Sequence, residues 1–204
     1  MIAISELQRD ALGEIFNIGV GRAASSLSQI VNDEILITAP EVHLLSPTEA
    51  TAMVVGEQSH KCSTVSQTFT GPFVARAVLV FPENNALEII RLMIGEHLTL
   101  DELSEFEQEA MSEVGNIILN ATFSAVADMV GIELQGSLPD HRFGDARALL
   151  MEDCKEESVI LVIQANLMIR KQQIEGHIVF VLSVRSLHHL LEAVDRYLSG
   201  EGIA

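Results

Sequence analysis

Two copies of the pattern Glu-x-x-Asn hold the residues best suited to chemistry: Glu14 with Asn17, and Glu113 with Asn116. A side-chain amide donates and accepts hydrogen bonds together, so it can orient a water molecule. Phosphoryl transfer uses amides in this way, because positioning does most of the catalytic work there. A neighbouring carboxylate can hold an ammonium group by a charge-assisted hydrogen bond. Neither copy offers a nucleophile, so we expect a partner to bring the reactive group and any metal ion.

The two copies are part of a longer internal repeat. The two glutamates, the two asparagines and two prolines, Pro40 and Pro139, each lie 99 positions apart. No linker rich in Pro, Gly or Ser separates the halves. The sequence therefore predicts an α+β fold, a single pseudo-twofold domain over 1–204 with similar halves of about 1–100 and 101–204. A central, mainly antiparallel sheet carries two long helices, which present the sites on the outside.

Each half shows the same order of elements: a long helix, an extended run, a short helix, two strands and a closing helix. The extended runs are EILITAPEV and IELQGSLPD, and the short helices are TEATAMVV and GDARALLM. The strand pairs are KCSTVSQTF with FVARAVLVF, and SVILVIQANLMI with GHIVFVLSV. The closing helices are NALEIIRLM and SLHHLLEAVDRYL.

An apolar stripe runs along each long helix. Its members are Leu12, Ile15, Phe16, Gly19, Ala23, Leu27 and Ile30 in the first helix, and Met111, Val114, Ile118, Ala125, Val126 and Met129 in the second. At roughly 100° per residue, the Glu and Asn of each copy fall on the opposite side. We expect these four side chains to face solvent without a cleft of their own. Asparagine is a mediocre helix former, so its repetition at one helical phase favours a function.

The doubled pattern resembles the signature of the CheC/CheX/FliY family of bacterial chemotaxis phosphatases. That signature is an acid or serine, three residues, Glu, two residues, Asn, and a proline about 22 residues further on. The chain carries it as Asp10-x3-Glu14-x2-Asn17 with Pro40, and as Glu109-x3-Glu113-x2-Asn116 with Pro139. Two intact copies, with no residues left for a flagellar-switch domain, look most like the CheC-like members. Glu109 departs from the usual aspartate or serine.

The resemblance implies an enzyme that dephosphorylates a phosphorylated CheY-like receiver, whose aspartyl phosphate lies beside a bound magnesium ion. By this resemblance, Asn17 and Asn116 align the attacking water, and Glu14 and Glu113 pair with the receiver's lysine. The protein would then have no cofactor or metal of its own, and magnesium would belong to the receiver. A CheD-like deamidase is a further partner that the resemblance suggests. The rival hypothesis is a non-catalytic interaction module that binds the phospho-receiver or such a deamidase.

The composition of the chain excludes some classes of binding partner. The formal net charge is −17, and 48% of the residues are hydrophobic, as in a folded globular chain. Such a charge repels nucleic acid and anionic membrane surfaces. The first residues lack the basic start and apolar core of a signal peptide. With only two cysteines, Cys62 and Cys154, far apart and outside any CxxC, we expect reduced thiols in a cytoplasmic protein.

Other motifs predict less. Gly19-Val20-Gly21 with Ala24 echoes a dinucleotide-binding loop, but it lies inside a helical pattern instead of following a strand. We expect these glycines to permit close approach of another backbone or of a partner. His188 and His189 are adjacent in a predicted helix, so they point to different faces and favour a surface pair over a zinc site.

Overall fold

A computed structural model describes residues 4–31, 34–38, 41–55, 61–94, 100–152, 154, 158–169 and 172–200. The first half contains α1 (Glu6–Val31), β1 (Ile35–Ile37), β2 (Glu41–Leu45), α2 (Pro47–Val55), β3 (Lys61–Thr70), β4 (Val74–Pro82) and α3 (Glu83–Ile94). The second half contains α4 (Leu100–Val130), β5 (Gln135–Gly136), β6 (Asp140–Asp145), α5 (Ala146–Met151), β7 (Ser158–Ile169), β8 (Gln172–Ser183) and α6 (Val184–Ser199).

The strands form one eight-stranded sheet in the order β1-β7-β8-β4-β3-β5, with β2 also paired to β7 and β6 to β3. All of these pairings are antiparallel. The central pair is β4 with β8, where Leu79 lies opposite Ile178. These two residues are 99 positions apart, so the pseudo-twofold axis passes between them. The predicted α+β fold and mainly antiparallel sheet are confirmed.

Helices cover both faces of the sheet, because successive strand residues point to opposite sides. Leu79 and Phe81 of β4 join the larger core beneath α1, α3, α4 and α6. Val78 and Val80 join a smaller core beneath the short helices α2 and α5. The two long helices therefore lie on the same side of the sheet, each with a well-buried apolar stripe.

The long helices approach each other closely at Gly19. A Cβ atom there would lie 2.7 Å from the Cα of Thr122 on α4. Gly19 therefore permits a close backbone approach, as the sequence predicted, whereas nothing lies within 4 Å of a Cβ at Gly21. Both glycines lie inside continuous α1, which excludes a nucleotide-binding loop at this position. The prediction that Ile30 belongs to the buried stripe is wrong, because Ile30 is 44% exposed in the last turn of α1.

None of the described helices combines the length and apolar character that a membrane span requires.

Candidate active site

The four residues of the repeated pattern all lie within the two long helices. Glu14, Asn17 and Glu113 are exposed, as expected from the helical phase. Asn116 departs from that expectation, because its side chain is half-buried and hydrogen-bonded. The two copies therefore share a sequence pattern but have different surroundings.

An open groove of about 610 Å³ runs along the second copy. It is lined by Met93, Phe106, Glu109, Ala110, Ser112, Glu113, Asn116, Leu138 and Pro139. The expectation that neither copy has a cleft is thus wrong for the second one. The groove arises because the segment before β6 returns alongside α4, which brings Pro139 to the same groove as Asn116 although 22 residues separate them in sequence.

The groove combines an acidic side with an apolar one. Glu109 and Glu113 supply carboxylates from α4. Two of the apolar residues are unusually exposed, with 43% of Phe106 and 89% of Leu138 open to solvent. Exposed apolar side chains around a polar centre are typical of a surface that contacts another protein.

The amide of Asn116 is held by two other amides. Asn120 Nδ2 donates to Asn116 Oδ1 at 2.7 Å, and Gln67 Nε2 of β3 approaches the same oxygen at 3.4 Å. Gln67 Nε2 also donates to the backbone carbonyl of Ser137 at 2.9 Å. Neither partner was predicted from the sequence. Asn120 was detectable, since it lies four residues after Asn116 on one helix face, but Gln67 comes from a distant strand.

A buried polar cluster lies at the base of α4, close to the groove. His141 Nε2 is 2.7 Å from Ser63 Oγ and 3.8 Å from Glu107 Oε1. Burial lowers the pKa of His141, against the opposing effect of Asp140. Burial also raises the pKa of Glu107. This cluster connects α4, β3 and β6. Because Ser63 is wholly buried, a substrate cannot reach its hydroxyl group, as it would have to reach that of a catalytic serine.

The first copy is less enclosed. Glu14 and Asn17 lie at the surface of α1, and neither side chain has a hydrogen-bonding partner in the part of the chain that the structure describes. Pro40, the proline expected beside this copy, falls outside the described residues.

Neither copy resembles a metal site. Within the described ranges, no group of three or more His, Cys, Asp or Glu side chains could hold a metal ion. His188 and His189 are both exposed on α6, and His189 Nδ1 lies 3.0 Å from the backbone carbonyl of Pro72. Whether the protein binds a metal of its own stays a prediction.

Comparison with known proteins finds similarity to the CheC-like family in sequence, and to FliY, CheX and FliM structures in fold. The sequence profile of the CheC-like family matches residues 7–44, which include the first copy. The CheY-P phosphatase CheC of Bacillus subtilis (strain 168) is 26% identical over 204 aligned positions, covering 96% of this chain and 97% of that protein. The chain is thus similar to proteins of the CheC-like family along almost its whole length.

Solved structures share the fold. Thermotoga maritima FliY superposes with a TM-score of 0.78 at 22% identity, covering 96% of this chain and 100% of that one. The CheX–CheY–BeF3–Mg2+ complex from Borrelia burgdorferi contains a chain that matches with a TM-score of 0.53 at 16% identity, covering 82% of this chain and 97% of that one.

Proposed function

We propose that this protein hydrolyses the aspartyl phosphate of a phosphorylated CheY-like receiver. The observation that carries the proposal is the repeated Glu-x-x-Asn pattern on two helix faces, with Asn116, Glu113 and Pro139 meeting in one open groove. A helix face is convex enough to enter a partner's phosphorylation site, and an amide on it can reach an acyl phosphate there.

The reaction needs little from the chain itself. Water attacks phosphorus, the bond from phosphorus to the aspartyl oxygen breaks, and the carboxylate of the receiver is regenerated while the water proton leaves with phosphate. Asn17 and Asn116 are proposed to align this water, a task that requires geometry more than acidity. Glu14 and Glu113 are proposed to hold the receiver's lysine by charge-assisted hydrogen bonds. Magnesium is supplied by the receiver.

Charge and surface chemistry support a protein partner. The chain carries a net charge of −17, which favours a basic surface on the receiver and repels nucleic acid. Leu138 and Phe106 add apolar contact area beside the proposed site. The names of the Bacillus subtilis relative and of the Borrelia burgdorferi complex point to the same class of partner.

Phosphate release from a phosphorylated receiver tests the proposal. The chain is added at a small fraction of the receiver concentration, so that only repeated turnover removes the whole phosphorylated pool. A non-catalytic module that binds the phospho-receiver would protect or release only a stoichiometric share. Binding to a CheD-like deamidase is a separate prediction, tested by titration with that protein.

The matched control is the double variant Asn17→Ala with Asn116→Ala, which we expect to abolish the acceleration. Each single variant keeps the activity of the untouched copy. The exposed Asn17 should cost little stability, within about 0.5 kcal/mol, and the hydrogen-bonded Asn116 about 1 kcal/mol. Full activity in a folded double variant would refute the assignment of the asparagines.

A further inference from the structure

We propose that Gln67 and Asn120 are positioning residues for Asn116, and that they fix its amide with the Nδ2 group facing the groove. This inference rests on the proposed function for its catalytic consequence. Its geometric part concerns only the orientation and mobility of one side chain. It also implies that the two copies of the site are unequal.

The backbone brings these residues together at Gly115. A Cβ atom on Gly115 would lie 2.3 Å from Val65 Cγ1, so only glycine lets α4 lie this close to β3. Val65 and Gln67 are two residues apart in β3 and therefore point to the same face of the sheet. The next residue of α4, Asn116, consequently comes within reach of Gln67.

The hydrogen bonds determine which way each amide points. A backbone carbonyl only accepts, so the atom of Gln67 bonded to Ser137 must be the donor Nε2. The same Nε2 faces Asn116, which must then present its acceptor Oδ1. Asn120, bonded to that oxygen, must donate through Nδ2. One backbone carbonyl thus fixes the orientation of three side-chain amides in turn.

This orientation leaves Asn116 a donor. Both lone pairs of its Oδ1 are taken by Asn120 and Gln67, and its Nδ2 hydrogens remain for the groove. An amide locked in this way donates to the oxygen of a water or of the phosphoryl group without first losing rotational freedom. Such pre-organisation lowers a barrier without adding a new contact.

The burial of Gln67 is unfavourable for the stability of the fold. Its side chain is 3% exposed, and its Oε1 is a buried oxygen with no hydrogen-bonding partner among the described residues. A buried unsatisfied polar atom in a native protein calls for an explanation. The donor Nε2, which serves both Ser137 and Asn116, provides one.

At the two positions of the first copy that correspond to Asn120 and Gln67, the sequence has no amide side chain. The residue 99 positions before Asn120 is Gly21, which has no side chain. The strand register gives the counterpart of Gln67. Gln67 of β3 pairs with Ala77 of β4, and Ala77 corresponds to Gly176 of β8, which lies 99 positions later. Gly176 pairs with residue 165 of β7, which is therefore the counterpart of Gln67. Residue 165 is an alanine. Neither residue type can orient Asn17 through an amide.

Kinetics in two backgrounds test the inference. With Asn17→Ala, only the second copy acts, and we expect Asn120→Ala to lower kcat about tenfold with KM for the phosphorylated receiver unchanged. Gln67→Met should lower kcat by a smaller factor, because its contact is longer. With Asn116→Ala, only the first copy acts and serves as the matched background, in which neither substitution should change kcat.

A second variant separates hydrogen bonding from shape. Asn120→Asp keeps the shape but removes the donor, so it should lose at least as much kcat as Asn120→Ala. Ser124→Asp places the same charge one turn further along α4 and controls for electrostatic repulsion of the phosphoryl group. An unchanged kcat in Asn120→Asp, or a raised KM with unchanged kcat, would overturn the positioning role.

NMR supplies a readout that does not require activity. The side-chain amide of Asn116 should be more ordered than that of Asn17, and Asn120→Ala should bring its order parameter down toward that of Asn17. Equal mobility of the two amides in the unmodified protein overturns the inference whatever the kinetics show. If Asn116 is ordered but the protein releases no phosphate, the proposed function fails and the orientation of the amide stands.

Discussion

Gly115→Ala is the substitution whose effect follows most directly from the geometry. The added Cβ would lie 2.3 Å from Val65 Cγ1 and 2.5 Å from Val65 Cβ, whereas carbon atoms in contact prefer about 3.5–4.0 Å. The second distance matters more. A Cβ is fixed to the strand backbone, so rotating the valine side chain cannot relieve the overlap. Either α4 or β3 must move.

Two opposing effects set the magnitude. Replacing glycine by alanine inside a helix gains about 1 kcal/mol from backbone entropy and helix propensity. Overpacking a well-filled core costs about 1–3 kcal/mol. We therefore expect a net loss of about 1 kcal/mol in the free energy of unfolding, which lowers Tm by about 2–4 °C for a domain of this size. The displacement of α4 should also draw Asn116 away from Gln67.

The matched control is Gly21→Ala, also inside a long helix but with nothing within 4 Å of the added Cβ. It keeps the propensity gain without the overlap, so it should raise the free energy of unfolding by about 0.5–1 kcal/mol. Urea unfolding of both variants measures whether the free energy of unfolding falls in Gly115→Ala and rises in Gly21→Ala. In the Asn17→Ala background, Gly115→Ala should also lower the rate of phosphate release. If Gly115→Ala stabilises the protein as much as the control does, the close contact of α4 with β3 does not exist in solution.

Three further predictions follow from charge and burial. Glu14→Gln with Glu113→Gln keeps size but removes charge, so it should weaken receiver binding and flatten its salt dependence; unchanged affinity and salt slope would exclude the proposed pairing with lysine. The pKa of His141 is lowered from 6.5 in the folded state, so the unfolded chain takes up its proton first and stability is lost as the pH falls below that value. His141→Gln should therefore lose less stability than the unmodified protein between about pH 7 and pH 5.5, as denaturant midpoints would show. Burial raises the pKa of Cys62 to about 12, so a thiol-specific reagent should not modify Cys62 until the protein unfolds.

The order of the elements and the helical phase of the candidate site were accessible from the sequence. The repeat of 99 positions aligned two sets of elements whose sheet proves symmetrical about Leu79 and Ile178. Apolar periodicity placed Glu14, Asn17 and Glu113 on the solvent side of their helices, where the structure has them. Both predictions rest on the spacing of residue types along the chain, which can be read without information on tertiary contacts.

The groove and the burial of Asn116 were not accessible, because periodicity gives the direction of a side chain but not the height of the neighbouring surface. Met93 and Leu138 enclose the groove from a different helix and from the segment before β6. The depth of Asn116 depends on how closely α4 approaches the sheet, which Gly115 sets through its contact with Val65. An isolated glycine between Glu113 and Asn116 gives no sign of that contact in the sequence.

Near-identity of the two signatures therefore does not make the two sites equivalent. The position on α1 that corresponds to Gly115 is Phe16, which is 2% exposed and stacks on Phe180 with ring centroids 5.3 Å apart. The ring of Phe16 lies between α1 and the sheet and keeps that helix further from it. Gly115 has no side chain, so it allows α4 to lie closer to the sheet. The asparagine that follows each of these residues thus differs in its distance from the sheet before any of its partners are considered. Since an amide at the surface must lose its rotational freedom during the reaction and a braced one has already lost it, the second site should provide most of the turnover.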